Sequence, residues 1–393
     1  MQFLRLFLLL VFISGSLLSC RPKQPVVTGP HPEKEIYRIP YDTLKDDIVS
    51  VISGIIPGKN KCAGWVDSFP AWQKFAAKMD SGFTYLDTSR FVKMEKWADA
   101  EIDGRHDSTL LFYPFGGPDF LNANIFYPSA SVYLLIGLEP PGMLPQVCNM
   151  QATGIVEYTA DIWNSLSDLF LRSYFITGHM IDALKKSEVN GTLPVIAMFV
   201  KRRGYRIVSV NDVALDSAGV LQYADSMKNR KIFSHGVRID FARDTGKFLQ
   251  SVVYLKADIS DKGLADNPPL NKYLSSIPAC HTYLKAASYL MHGRDFSGIR
   301  NIILDKSISV LQDDSGIAYR FFDKNTWDIK LFGKYSRPGK EFSWINETDL
   351  AEAYRDTSIN PVPFTLGYNW RTRAINLLYA TKKKLQIPLY NYN

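Results

Sequence analysis

Apolar and polar residues keep a helical rhythm early in the chain and a strand rhythm later. From 45 to 103 the reading is helical. Ile48, Val51, Ile52 and Ile55 recur at spacings of three and four, and Ile56-Pro57-Gly58 ends the run. Phe69 to Lys78 repeats the pattern, and Asp87-Thr88-Ser89 offers capping groups ahead of Phe91, Met94 and Trp97. Thr109 to Phe115 and Ser131 to Leu138 are apolar on successive residues, which predicts strands buried on both faces or a thick core there. Ile162, Leu166, Leu169 and Phe170 mark a further helix, which Met180, Ile181 and Leu184 extend or follow, with a break or kink at Gly178.

Hairpins are expected beyond residue 190. Leu193 to Val200 is predicted to turn at Lys201-Arg202-Arg203-Gly204 into Tyr205 to Val210. Val237, Ile239 and Phe241 alternate with Arg238 and Asp240, turn at Asp244-Thr245-Gly246 and return through Val252-Val253-Tyr254. Tyr283, Leu284, Ala287, Leu290 and Met291 predict a helix, and Asp295 a cap for a second one through Ile299, Ile302 and Ile303. Ile308 to Leu311 and Ile317 to Phe322 read as a hairpin around Asp313-Asp314-Ser315-Gly316. Thr326 to Phe332 reads as a strand, Asn346 to Tyr354 as a helix capped by Asn346, and Thr365 to Thr381 as mixed with a lean to strand. The fold class expected is α+β, with a helical N-terminal part and antiparallel β hairpins with packed helices in the rest. Residues 41–393 form one large domain on this reading, with a sub-boundary to be considered near 190.

Composition narrows the class. With 46% hydrophobic and 13% aromatic residues the chain is not disordered, and its 25 Gly and 21 Pro follow no fibrous repeat. The formal charge of +7 is a mild basic excess. Its longest basic runs, Lys201-Arg202-Arg203 and Lys382-Lys383-Lys384, read as a solvated turn and a solvated tail, too sparse for nucleic acid.

The first twenty residues carry the most specific signal. Arg5 precedes the apolar run Leu6 to Ile13, and Ser14-Gly15-Ser16 follows, as in a secretory signal. Leu17-Leu18-Ser19-Cys20 then resembles the lipobox of bacterial lipoproteins. That resemblance implies a signal peptide over residues 1–19, cleavage before Cys20, and acylation of Cys20 as a membrane anchor. The stretch from Cys20 to residue 40 would be a lipidated tether, rich in Pro and polar residues. Neither an Asp just after Cys20 nor an acidic cluster, the surface-export mark of Bacteroidota-like bacteria, is present. The resemblance therefore implies the outer membrane facing the periplasm, with the inner membrane left open. With Cys20 lipidated, Cys62, Cys148 and Cys280 remain, enough for one disulfide in any of three pairings.

Candidate chemistry is sparse. Asp244-Thr245-Gly246 and Asp314-Ser315-Gly316 match the D-[ST]-G of aspartic proteases, but Arg243 and Asp313 precede them where that family has an apolar run. Turns explain both. The strand leading to Asp119 through Gly116-Gly117-Pro118 ends where a ligand could gather polar groups, and Asn122 and Asn124 are candidate ligand-binding residues there. This segment and Leu311 to Phe322 resemble uncharacterised bacterial envelope proteins, a likeness that carries no activity. Lys285-Ala286-Ala287-Ser288 reverses the S-x-x-K order and reads as a helix face. The six His show no metal-ligand spacing, and no phosphate loop or nucleophile elbow is present. No cofactor and no metal are expected. The leading expectation is a non-enzymatic envelope binding or assembly factor, partnered by the membrane through Cys20 and by an envelope protein, with no nucleic acid. The alternative is an envelope hydrolase acting on glycan or peptide, with Asp119, Asp313 or Asp314 as acid or base.

Overall fold

Among the described residues, ten strands join in one sheet: β1 (Leu110–Tyr113), β2 (Val132–Gly137), β3 (Arg206–Leu215), β4 (Leu221–Tyr223), β5 (His235–Ala242), β6 (Gln250–Lys256), β7 (Cys280–Leu284), β8 (Ser307–Gln312), β9 (Trp327–Gly333) and β10 (Asn376–Lys382). Their order is β4-β3-β5-β6-β2-β1-β7-β8-β10-β9. The computed structural model describes residues 39–58, 64–172, 190–227, 231–244, 246–356, 358–369 and 375–383. The expected signal segment and lipidated tether, residues 1–38 with Cys20 among them, and Cys62, Gly178, Met180, Ile181, Leu184, Thr245 and Lys384 lie outside them. The chain divides between Tyr37 and Arg38, and Arg38–Asn393 is a single unit. Residue 190 marks no break in the sheet, because β2 pairs with β6 across it.

The class is α+β with a mixed sheet, not a set of antiparallel hairpins. The five central strands β6, β2, β1, β7 and β8 run parallel, and antiparallel strands extend the sheet on both sides. The continuous apolar runs of β1 and β2 have this cause, since parallel strands are covered on both faces. Leu111, Tyr113, Tyr133 and Leu135 join one core; Phe112, Leu134 and Ile136 join the other. Helices α1 (Thr43–Ile52), α2 (Pro70–Leu86), α3 (Val92–Glu101), α4 (Phe120–Phe126), α5 (Ala152–Arg172) and α6 (Leu193–Arg202) contribute to the first core. Helices α7 (Asp261–Asp266), α8 (Pro268–Ser276) and α9 (Ser297–Lys306) contribute to the second. A short α10 (Thr348–Ala353) follows β9. No helix among the described residues is long and apolar enough to cross a membrane.

Several expectations are corrected. Leu193 to Val200 is not a strand but most of α6, in which all eight residues are buried. A helix apolar on every side carries no period to distinguish it from a buried strand. The basic run after it is no solvated turn. Lys201 pairs with Asp46 at 2.7 Å, Arg202 with Asp80, and Arg203 with Glu95 at 2.7 Å, tying α6 to α1, α2 and α3. Tyr283 and Leu284 belong to β7, and no helix follows them directly. Asp295 does not cap α9; the Asp261 carboxylate accepts from Ser297 N (3.2 Å) and Gly298 N (2.7 Å) instead. Asp87-Thr88-Ser89 lies in a π turn that continues α2 into α3, where the Thr88 and Ser89 hydroxyls donate to backbone carbonyls. Asp313 to Gly316 turns without a hairpin, because β8 pairs with β7 and β10 and no strand returns from it. Asn346 accepts from Thr348 N, while Glu347 takes the cap position of α10.

Candidate functional site

The connections out of β1 and β7 set up a crevice. β1 passes through α4 to its parallel neighbour β2, and β7 passes through α9 to its parallel neighbour β8. β1 and β7 are themselves adjacent and parallel, so the chain leaves them in opposite directions along the sheet. Open sheets bind ligands at such a reversal, beyond the carboxyl ends of the strands.

Buried polar groups gather at that edge. Past β1, Gly117 takes a left-handed φ of 51°, and Asp119 then caps α4 by accepting from Asn122 N at 3.3 Å. Past β7, Lys285 turns back over the strand ends, and its Nζ lies 2.6 Å from Asp119 Oδ2. Tyr113 OH donates to the same oxygen at 3.1 Å, and Asn122 Nδ2 donates to Oδ1 at 2.8 Å. An ion pair this deep is stable only when such further hydrogen bonds offset its desolvation.

The chain after Lys285 is strained. Ala286, Ser288 and Tyr289 take φ of 51°, 55° and 57°, a region that costs each non-glycine residue about 1–3 kcal/mol. The turn after β8 holds them there. Asp313 Oδ2 accepts from Ala286 N at 3.0 Å, Ser315 Oγ from Ala287 N at 2.7 Å, and Ser315 O from Tyr289 N at 3.0 Å. Tyr289 OH donates to Asp314 Oδ2 at 2.7 Å. Tyr368 OH donates to Ala286 O at 2.9 Å, so Ser288 Oγ donates to Tyr368 OH, also at 2.9 Å.

Asp119, Asp313 and Asp314 therefore sit at one edge of the sheet, and all three are buried. Each is occupied by protein groups. Burial pushes the Asp313 carboxyl up, and burial followed by the neighbouring Asp313 pushes Asp314 up to about 7. Glu347, driven by burial and then by Asp314, rises to about 9. Asp314, Glu347 and Asn376 border a void of only about 10 Å³, in which Glu347 Oε2 and Asn376 Nδ2 have no protein partner. Asp244 pairs with Arg206 in the loop that precedes β6, at the opposite edge of the sheet. The two D-[ST]-G matches thus form no dyad.

The candidate amides face inward. Asn122 Nδ2 serves Asp119, while Asn124 Nδ2 donates to Tyr133 OH and Tyr205 OH and its Oδ1 accepts from Arg203 Nε at 3.0 Å. Neither residue borders a cavity at the crevice. Among the described residues no three His, Cys, Asp or Glu are arranged to hold a metal ion. Cys148 is disulfide-bonded to a partner outside the described residues, and Cys280 is buried and free.

Three hollows open above the buried layer. One of about 330 Å³ lies in the crevice itself, between Phe115, Glu139, Asp258 and Ala287. A second, about 730 Å³, shares Ser288, Leu290 and Phe296 with it and extends to His292, Arg320 and Asp349. A third, about 750 Å³, lies across Trp344, which borders both of the larger ones and is 73% exposed. The strained loop is thus the wall between the crevice and the second hollow. Lys285, Glu139, Trp344 and Glu347 were not anticipated as site residues, whereas His292, which beside Arg294-Asp295 could be read as a ligand or base fragment or as a lone solvated histidine near a turn, is buried. For Lys285 a signal existed: a charged residue directly after a run of buried strand.

Comparison of the chain with family models, with curated proteins and with solved structures finds no match.

Proposed function

We propose that this protein is a membrane-anchored envelope lipoprotein, acylated at Cys20, and that its body is a non-enzymatic binding or assembly factor. The body is read as a helical N-terminal part followed by a sheet with packed helices, and its working surface as the groove over the carboxyl ends of β1, β7 and β8. The observation that carries this reading is the state of the three aspartates. Asp119 holds Lys285, and Asp313 and Asp314 hold the strained loop; all are buried beneath the groove and none faces it as a free acid or base. Such groups shape a surface. The disulfide at Cys148 supports an oxidising compartment, which fits export to the outer membrane facing the periplasm.

The hydrolase reading has one observation in its favour. Asp314 and Glu347 are neighbouring carboxyls raised to about 7 and about 9, as a general acid requires. The void beside them is too small for any substrate.

Affinity capture of the native lipoprotein from lightly crosslinked envelopes tests the binding reading. A partner recovered near one-to-one, and lost when Ser288→Trp fills the groove, is the expected result. Recovery unaffected by Ser288→Trp overturns the assignment of the groove.

A further inference from the structure

We infer that the crevice hollow of about 330 Å³ takes a positively charged group, a primary ammonium or a guanidinium, on an apolar stem, with the charge held by Glu139. This rests on the proposed binding role of the groove and names the ligand class.

Glu139 lies just past the carboxyl end of β2, and its side chain turns back over the strand. A Cβ on Gly137 would lie 2.6 Å from Glu139 Oε2, and one on Gly117 3.8 Å from it. Two positions without side chains, at the ends of adjacent parallel strands, thus leave room for one carboxylate. Glu139 is 3% exposed. Its one hydrogen-bond donor is Tyr254 OH, 3.3 Å from Oε2, and the single hydrogen of that hydroxyl also serves Glu139 O at 2.9 Å. Oε1 accepts from no group among the described residues. Unlike the sealed atoms Glu347 Oε2 and Asn376 Nδ2, it keeps surface open, and Glu139 borders the hollow. An acceptor that is buried on all sides but one, and unfilled on that side, calls for a donor from the crevice.

Charge then selects the donor. No Lys, Arg or His borders this hollow, and no cationic side chain among the described residues pairs with Glu139. The second charged group on its lining is also an acid: Asp258, exposed, whose Oδ1 accepts from Ser260 N at 2.9 Å. Lys262, which feels the Asp258 charge, pairs instead with Asp266. A buried carboxylate without a counter-charge is costly, and a cation entering the crevice offsets that cost. An anion would meet two like charges, and a neutral ligand would leave Glu139 uncompensated. The rest of the lining suits an apolar stem: the rings of Phe115 and Phe296, with centroids 6.0 Å apart, together with Leu138 and Ile259. The volume is at the lower end of the usual range of about 300–1,000 Å³ for ligand pockets, which fits one small amine or one basic side chain of a partner protein.

The test is calorimetric titration of the full-length lipoprotein in detergent at pH 7 with phenethylammonium and with N-acetyl-lysine-N-methylamide. Saturable binding of at least one is expected. Tighter binding of the first points to a free amine as the ligand, and tighter binding of the second to a basic side chain of a partner. On the parent protein, 2-phenylethanol and 3-phenylpropanoate, similar in shape but without the positive charge, should bind about tenfold more weakly than phenethylammonium or not at all, a difference of about 1.4 kcal/mol or more. Glu139→Gln should weaken the ammonium probes by a similar factor while unfolding in urea no earlier than the parent, since it removes an uncompensated carboxylate. Tyr85→Ala, exposed on α2, should leave binding unchanged. Absence of binding of both ammonium probes at millimolar concentration overturns the inference. So does a neutral isostere that binds as tightly as phenethylammonium, or ammonium binding indifferent to Glu139→Gln. In each case capture of a partner from envelopes, and its loss in Ser288→Trp, still decides the binding reading separately.

Discussion

Lys285 Nζ and Asp119 Oδ2 lie 2.6 Å apart across the ends of two adjacent parallel strands, each side chain 2% exposed. The pair closes the inner end of the crevice and fixes the point from which the strained loop departs. Removing one member leaves a charge in the interior without its main partner. Lys285→Met alone is expected to cost about 3–5 kcal/mol of unfolding free energy, and Asp119→Leu with Lys285→Met to recover most of that. Urea unfolding of the three proteins checks this. A cost below about 1 kcal/mol for the single variant would show the pair to be dispensable.

The acid pair sets a pH dependence with a definite sign. Asp314 and Glu347 rise from ordinary values of 3.8 and 4.5 to about 7 and about 9 in the folded protein. The folded state therefore keeps protons that the unfolded state releases. Their penalty is absent below about pH 4, grows from there as the unfolded carboxyls ionise, and is complete above about pH 9. Glu347→Gln should thus be more stable than the parent at pH 9, by about 1–3 kcal/mol, with the difference shrinking toward pH 4. Thermal or urea unfolding from pH 4 to 9 measures it, and a difference that grows as pH falls contradicts the assignment.

Gly367 supports the same turn from the other side. Its φ is +62°, and a Cβ there would lie 2.3 Å from Asp313 Oδ2, the atom that holds Ala286 N. Gly367→Ala should displace that carboxylate as well as strain its own backbone, for a loss of about 1–3 kcal/mol or more. The loop after Lys285 should then become cleavable by protease under native conditions. A variant as stable and as resistant as the parent would count against Asp313 as the clamp.

The cysteines give a chemical check. In the folded protein Cys280 should resist thiol reagents, because it is buried and its thiol is pushed up to about 11 by burial. It should react on denaturation without reductant, whereas Cys148 should react only after reduction. Peptide mapping under non-reducing conditions identifies the partner of Cys148. Alkylation of Cys148 in the denatured, unreduced chain would contradict the disulfide. In the same preparation, Cys20→Ala should abolish labelling by a palmitate analogue, and labelling that persists would rule out the anchor.

How far the fold was legible depended on the kind of burial. Thr109 to Phe115 and Ser131 to Leu138 were identifiable as strands because the Gly and Pro turns after them bound short β-rich runs, and Val237 to Phe241 with Val252 to Tyr254 as an antiparallel pair because of the alternation around a turn. Leu193 to Val200 had two solutions, since eight buried apolar residues suit a core helix as well as a strand. The parallel centre was hidden because parallel pairing is long-range: β1 touches β7 only after 166 intervening residues have folded elsewhere. Asp119 was identifiable as a cap, and Asp313 and Asp314 as turn residues. Their convergence was not, because it depends on the parallel order of β1, β7 and β8. Lys285 was hidden by a false helical period that runs from a strand into a left-handed loop.

If the buried acids build a binding surface and perform no hydrolysis, the protein should hold wall material without cutting it. The most direct test is incubation of the purified full-length protein, and of Asp314→Asn, with isolated envelope wall material, followed by mass spectrometry of the soluble fraction. Neither protein is expected to release glycan or peptide fragments above the buffer blank, and both are expected to retain wall material. Fragments that accumulate with the parent protein and disappear with Asp314→Asn would contradict the binding role.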